Sequence, residues 1–146
     1  MPTDQAWALL PIINLSDSPE AGLRAESITA ALVRTRGMAT LDEYPTTGGT
    51  DRLPELDERK RFESARNWAA GQGYKVALTG SVEEWRYKVG LDGEPAVGLS
   101  LRLIEPASGA VLWTASGARS GWGRGSVSGT AHKLIDELLS GIQTQP

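Results

Sequence analysis

The single histidine, His132, is followed one helical turn later by Asp136, a four-residue spacing at which helix side chains meet. A hydrolytic triad would also need a serine activated beside that imidazole. No such motif lies nearby, so the pair reads as a solvated helix surface. One histidine and no cysteine cannot furnish the nitrogen and sulfur ligands of a zinc site. Adjacent carboxylates stand at Asp42-Glu43, Asp57-Glu58, Glu83-Glu84 and Asp136-Glu137. Neighbours on a strand face opposite ways, so Glu83 and Glu84 are a poor acid/base pair unless a bulge aligns them, and the others read as solvated charge. Asp92 and Glu94 flank Gly93 in a turn, where aspartate is favoured by turn chemistry whether or not it meets a ligand.

Gly121, Gly123, Gly125 and Gly129 fall between a strand and a helix, where backbone amides and the helix dipole can cradle phosphate. A dinucleotide fingerprint, however, opens the first strand-helix unit and is followed about 20 residues later by an acidic residue. Here the run opens the last helix and only Gln143 to Pro146 lie beyond it, which argues against nucleotide binding. Of five tryptophans, Trp7, Trp85 and Trp113 fall in strands and Trp68 near the edge of a helix's apolar face, so core packing or a subunit contact accounts for them. Trp122 differs, because Gly121 and Gly123 on either side give its ring little local apolar cover. Arg119 and Arg124 flank it on a glycine-rich loop, a pattern suited to a ring at lipid headgroup level with cations near phosphates. A loop folded back onto the core is the rival reading from chemistry alone.

The chain has 146 residues, enough for one domain with a sizeable apolar core, and a single unit spanning 1-146 is expected. Hydrophobic residues make up 40% and charged residues 23%, both ordinary for a globular chain. No run approaches the roughly 18 apolar residues of a spanning helix. A net charge of -3 and a pI near 5.2 lack the positive excess that phosphate backbones demand, and Arg59-Lys60-Arg61 is the lone basic cluster, so nucleic acid is not an expected partner. Absence of cysteine rules out disulfides and a thiolate nucleophile without fixing the compartment. No signal peptide is visible before the first apolar stretch.

Trp7 to Leu15 is nearly continuously apolar and broken by Pro11, which predicts a buried first strand with a local bend. A helix follows, with Ser18 placed to cap it, Pro19 at its first position, Gly37 at its end, and Ala21, Ala25, Ile28 and Leu32 on one face. A short strand over Met38 to Tyr44 completes a strand-helix-strand unit, and Pro45 to Pro54 is unpatterned. Asp57 is placed to cap a second helix running to about Ala70, with Phe62, Ala65 and Ala69 on one face. Lys75 to Val89 alternates, but Val76, Leu78 and Val82 have one parity and Trp85, Tyr87 and Val89 the other, so a bulge is expected near Glu83 and Glu84. A turn over Leu91 to Pro95 leads to a strand with Val97, Leu99, Leu101 and Leu103 inward, and Ser108-Gly109 turns into a strand over Val111 to Ser116. The last helix starts near Ser126, with a stripe of Val127, Ala131, Leu134 and Leu138 widened by Ile135, Leu139 and Ile142. The expected class is α/β (α+β), a mixed sheet of about five strands with three helices in the order β-α-β-α-β-β-β-α, built from one right-handed crossover unit and a meander.

The opening Trp-Ala-Leu-Leu-Pro-Ile-Ile-Asn-Leu-Ser, the segment Leu-Arg-Leu-Ile-Glu-Pro-Ala-Ser-Gly-Ala-Val-Leu-Trp and the final helix resemble a group of periplasmic domains. That group includes the curli secretion lipoprotein and the amino-terminal domain of the Tol translocation protein. Ser-Gly-Ala-Arg-Ser-Gly-Trp-Gly-Arg narrows the resemblance to the outer-membrane lipoproteins of Pel exopolysaccharide export systems. The resemblance implies a non-enzymatic, lipid-anchored, dodecameric ring under the outer membrane, without cofactor, whose acidic funnel guides a cationic polysaccharide to a partner porin. It further implies that Trp122 dips into outer-membrane lipid and that Asp92, in Leu-Asp-Gly-Glu-Pro, occupies an acidic funnel position. The family's anchor is an acylated cysteine, which this sequence lacks, so the anchor is expected to lie outside these residues.

Charge copied around a ring becomes a focused potential, whereas one subunit attracts its ligand weakly. The sequence therefore leads to a ring-forming periplasmic subunit, with Trp122, Arg119 and Arg124 at the membrane and Asp92 and Glu94 guiding the polymer. The alternative is a periplasmic regulatory or docking domain that activates an envelope enzyme, with the tryptophan loop as its knob. A small hydrolase or nucleotide-binding enzyme is disfavoured by the lone histidine and the misplaced glycines.

Overall fold

The structure, a computed structural model, describes residues 6-44, 54-88, 94-121 and 126-142. Among these the elements run β1 (Ala6–Asn14), α1 (Ala21–Arg36), β2 (Thr40–Glu43), α2 (Pro54–Gly71), β3 (Val76–Lys88), β4 (Glu94–Ile104), β5 (Val111–Ser120) and α3 (Val127–Leu139), the expected order. The sheet order is β2-β1-β3-β4-β5. β1 lies parallel to both β2 and β3, and β3, β4 and β5 form the antiparallel meander. The chain thus makes two parallel crossovers where sequence reading expected one. β1 to β2 steps one way and β2 to β3 steps back across β1, so crossovers of a single hand must put α1 and α2 on opposite faces.

The core divides accordingly. On the face of α1 and α3, Trp7, Leu9 and Ile12 meet Val33, Leu134, Ile135 and Leu139 and the inward row Val97, Leu99, Leu101 and Leu103. On the other face, Ala8, Leu10 and Ala77 meet Ala65 and Ala69 of α2, with Phe62 and Trp68 packed alongside. β1 serves both faces because its side chains alternate, and the register shift against β3 between Leu9 and Ile12, at the proline that cannot donate to the ladder, returns Ile12 to the face of Trp7 and Leu9. The Pro11 carbonyl accepts instead from Thr79 Oγ1 at 2.8 Å, which satisfies a buried hydroxyl.

Helix starts differ from the sequence expectation. α1 begins at Ala21, its N-cap Glu20 makes no side-chain cap bond, and neither the Ser18 hydroxyl nor Pro19 takes the predicted position. Ser18 contributes its carbonyl, which accepts from the Ala21 amide at 3.2 Å. Its own amide is held by Ser16 Oγ, which in turn donates to Asn14 Oδ1, so a polar knot after β1 draws Ser18 away from capping geometry. α2 begins at Pro54, so Asp57 is inside the helix rather than at its cap. α1 does close at Gly37, whose φ of 63° is left-handed, and α3 is capped by Ser126, which accepts from the Gly129 amide at 2.8 Å.

The bulge in β3 lies where the parity change put it, between Val82 and Glu84. Val82 and Trp85 are both buried as a result. β5 runs on to Ser120 rather than stopping at Ser116, which places Arg119 in a strand, opposite Val97, and not in the glycine-rich loop. Gly117 permits this, since a Cβ there would stand 3.2 Å from Leu134 Cδ1 on α3.

Candidate functional site

The segments singled out in the sequence converge on one end of the meander. β4 starts at Glu94, paired across the sheet with Lys88, and β5 ends at Ser120, paired with Ala96. One residue further, the Gly121 amide donates to the Pro95 carbonyl at 2.9 Å. Asp92, Trp122 and Arg124 lie outside the described residues, as do the rest of 89-93 and 122-125. Their anchors are described: the segments that hold Asp92 and Trp122 leave from neighbouring strands at the same sheet end.

Both ends of the Trp122 segment are fixed by packing. A Cβ on Gly121 would fall 2.7 Å from Pro95 Cγ and 2.8 Å from Thr130 Oγ1, so the chain passes between β4 and α3 only as glycine. Five residues on, the Ser126 hydroxyl caps α3. Arg119 Nη1 stands 3.5 Å from Glu137 Oε2, with side chains 42% and 65% exposed. An exposed pair of this kind contributes about 0 to 1 kcal/mol. It holds the guanidinium beside α3 loosely enough for an anion to compete.

The β3 bulge meets the condition the sequence reading set for Glu83 and Glu84, which are a poor acid/base pair unless a bulge aligns them. Glu83 accepts from the Ser81 hydroxyl at 2.5 Å and from the Ser100 hydroxyl at 3.5 Å, which places it with Ser81 and Ser100 on the face away from α1 and α3. Glu84 shares that face: its Cβ is 3.6 Å from where a Gly98 Cβ would be, and it accepts from Arg86 Nε at 2.9 Å. The two carboxylates are thus aligned by the bulge, the condition under which they could act together. Arg86 neutralises Glu84, whereas Glu83 is held by hydroxyls alone among the bonds of the described residues. The signal for this was in the sequence, in the switch from Val82 to Trp85.

His132 is exposed on α3, and Asp136 is engaged elsewhere. Arg36 Nε donates to Asp136 Oδ1 at 2.8 Å and Arg36 Nη2 to the Asp136 carbonyl at 3.1 Å, joining α1 to α3. The helix-surface pair expected from the four-residue spacing therefore gives way to a cross-helix ion pair. Among the described residues no three His, Asp or Glu are placed to hold a metal, and no helix is long and apolar enough to cross a membrane. Trp7 is fully buried, Trp85 nearly so, and Trp68 packs edge-on against Tyr44 at 5.5 Å and tilted against Tyr74 at 5.5 Å.

No family model and no curated protein matches the chain. Among solved structures, it is similar to a point variant of the PelC dodecamer from Paraburkholderia phytofirmans. Identity is 37% over 99% of this chain and 92% of that one, with a TM-score of 0.81. A second crystal form of the PelC dodecamer from the same organism gives 36% identity over 98% and 92%, with a TM-score of 0.77. The lipoprotein GNA1162 from Neisseria meningitidis shares the fold at 18% identity over 93% and 96%, with a TM-score of 0.62.

Proposed function

The chain belongs to the PelC family, and on that premise we propose that it is a non-enzymatic subunit of a homo-oligomeric ring at the periplasmic face of the outer membrane. In this reading the ring guides a cationic exopolysaccharide toward the porin of its export system. The observation that carries the reading is the 37% identity, sustained over 99% of the chain, with a protein that crystallises as a dodecamer.

Physical considerations support the division of labour. A net charge of -3 per copy is too small to steer a polymer alone, but repeated around an opening it produces a focused negative potential. Asp92 and Glu94 are the groups proposed to guide the polymer. Trp122, with Arg119 and Arg124, is proposed to contact lipid, its indole at headgroup level and the guanidinium groups near phosphates. The bond between Gly121 and Pro95 supports both roles, since it joins the two strand ends from which the Asp92 and Trp122 segments depart. The test is export in cells carrying Asp92→Asn and Glu94→Gln. Secreted polymer falls with protein level unchanged if the acids guide it, whereas undiminished secretion removes these residues from the path.

A further inference from the structure

We infer that Asp42 and the rings of Tyr44, Trp68 and Tyr74 form a surface site for a protonated amino sugar, the carboxylate meeting the ammonium group and the rings meeting the face of the sugar. This rests on the cationic-polymer reading above and gives that polymer a contact away from Asp92 and Glu94.

Three separate parts of the chain bring the four residues together on the α2 side of the sheet. In the β1–β2 register Asp42 stands opposite Ala8, which packs beneath α2, and Tyr44, two residues on, joins the same cluster. The Tyr44 amide donates to the Leu9 carbonyl at 3.1 Å, which ties the end of β2 to β1. Trp68 lies in the last turn of α2. Beyond that helix Gly73, with a φ of 85°, turns the chain, and the Tyr74 amide donates back to the Ala69 carbonyl at 3.0 Å. The indole thus meets two tyrosines whose backbones are both held, Tyr44 edge-on and Tyr74 tilted by 37°, each with ring centroids 5.5 Å away. All three rings are half-buried, packed against the alanine-rich core beneath α2.

Sealing that core requires no carboxylate, and the exposed Asp42 is not neutralised. Tyr74 donates its hydroxyl to Asp42 Oδ2, which fixes the carboxylate in place but leaves its charge and most of its acceptor capacity. Glu43 beside it is paired with Arg34 at 3.4 Å, whereas no ion pair among the described residues includes Asp42. A carboxylate beside aromatic rings favours a cation twice over, through a charge-assisted hydrogen bond and through the negative ring faces. The described residues place no group of three His, Asp or Glu for a metal ion, so an organic ammonium is the cation that fits. Tyrosine and tryptophan rings also offer an apolar surface to the C–H face of a pyranose.

The location suits a second point on a polymer's path. β3 begins at Val76, two residues after Tyr74 and beside Trp7, and ends at Lys88 beside Glu94. The rings therefore stand at the far end of the sheet from Glu94.

The test is calorimetric titration of the full chain with a glucosamine oligomer and with an N-acetylglucosamine oligomer of the same length, on wild type, Asp42→Asn and Tyr74→Phe. Asp42→Asn keeps an acceptor for the Tyr74 hydroxyl, and far-UV circular dichroism checks that both variants fold. Wild type is expected to prefer the glucosamine oligomer, and Asp42→Asn to weaken that binding about tenfold or more, the loss of one charge-assisted bond. Tyr74→Phe is expected to keep the preference, because it retains the ring and frees the carboxylate. If the two variants lose binding alike, the bond between these residues is a structural prop and the site is overturned. Wild-type affinity in Asp42→Asn also overturns the site, and it leaves the guiding reading standing when Asp92→Asn with Glu94→Gln loses the binding instead. Equal affinity of wild type for the two oligomers overturns both.

Discussion

The Gly121 amide donates to the Pro95 carbonyl at 2.9 Å, and through this one bond the end of β5 and the start of β4 are locked side by side. The contact requires glycine, since a Cβ would stand 2.7 Å from Pro95 Cγ and 2.8 Å from Thr130 Oγ1. Gly121→Ala is predicted to destabilise the fold by about 1 to 3 kcal/mol through overpacking, read as a lower urea midpoint at unchanged slope. An unchanged midpoint would mean that the gap between β4 and α3 is wider than described.

Among the described residues, two buried side-chain polar atoms have no hydrogen-bond partner, Trp7 Nε1 and Thr29 Oγ1. A buried unsatisfied hydroxyl costs about 1 to 3 kcal/mol, and replacing it by a methyl group of the same shape removes that cost. Thr29→Val, on the inner face of α1, is therefore expected to raise the melting temperature by a few degrees, measured by calorimetry. A lower melting temperature would indicate that the hydroxyl has a partner, such as an internal water.

Tyr74 donates its hydroxyl to Asp42 Oδ2, and this bond, followed by burial and the carboxylate's charge, pushes its pKa up from 10.0 to about 12. The folded state therefore holds a proton that the unfolded chain loses, so the contribution to stability is complete below pH 10 and is lost as pH rises through about 12. Absorbance titration of the phenolate band is expected to show one of the three tyrosines ionising near pH 12, and Asp42→Asn to return it toward the ordinary range. Absence of any tyrosine ionising near pH 12 would show that the bond is absent in solution.

Trp122 is predicted to give the protein affinity for lipid. Vesicles containing anionic phospholipid are expected to cosediment with the wild type and markedly less with Trp122→Ala, while the circular dichroism of the two proteins is the same. Equal cosedimentation would remove the tryptophan from the membrane contact.

Much of the fold was legible because its signals are local. Period-two rows such as Val97, Leu99, Leu101 and Leu103, the parity switch at Glu83-Glu84 and the proline in β1 each mark a feature found in the sheet. What was not legible depends on distant partners. Ser18 is a good capping residue whose surroundings, Asn14 and Ser16, engage it otherwise. Asp136 matches His132 by spacing, but Arg36, 100 residues away in sequence, takes it. Gly117 reads as the end of the strand until α3 is in place to pack Leu134 over it. Residue types alone suggested Asp92, Glu94 and Trp122 as candidates, whereas the closeness of the strand ends that flank them follows from the β4–β5 register.

The account stands or falls on assembly. Native mass spectrometry or sedimentation of the full chain at high micromolar concentration is predicted to give a closed homo-oligomer of a single discrete mass, and imaging of that particle a central opening of net negative potential. A strictly monomeric protein, or a particle whose opening is lined by lysine and arginine, would contradict it.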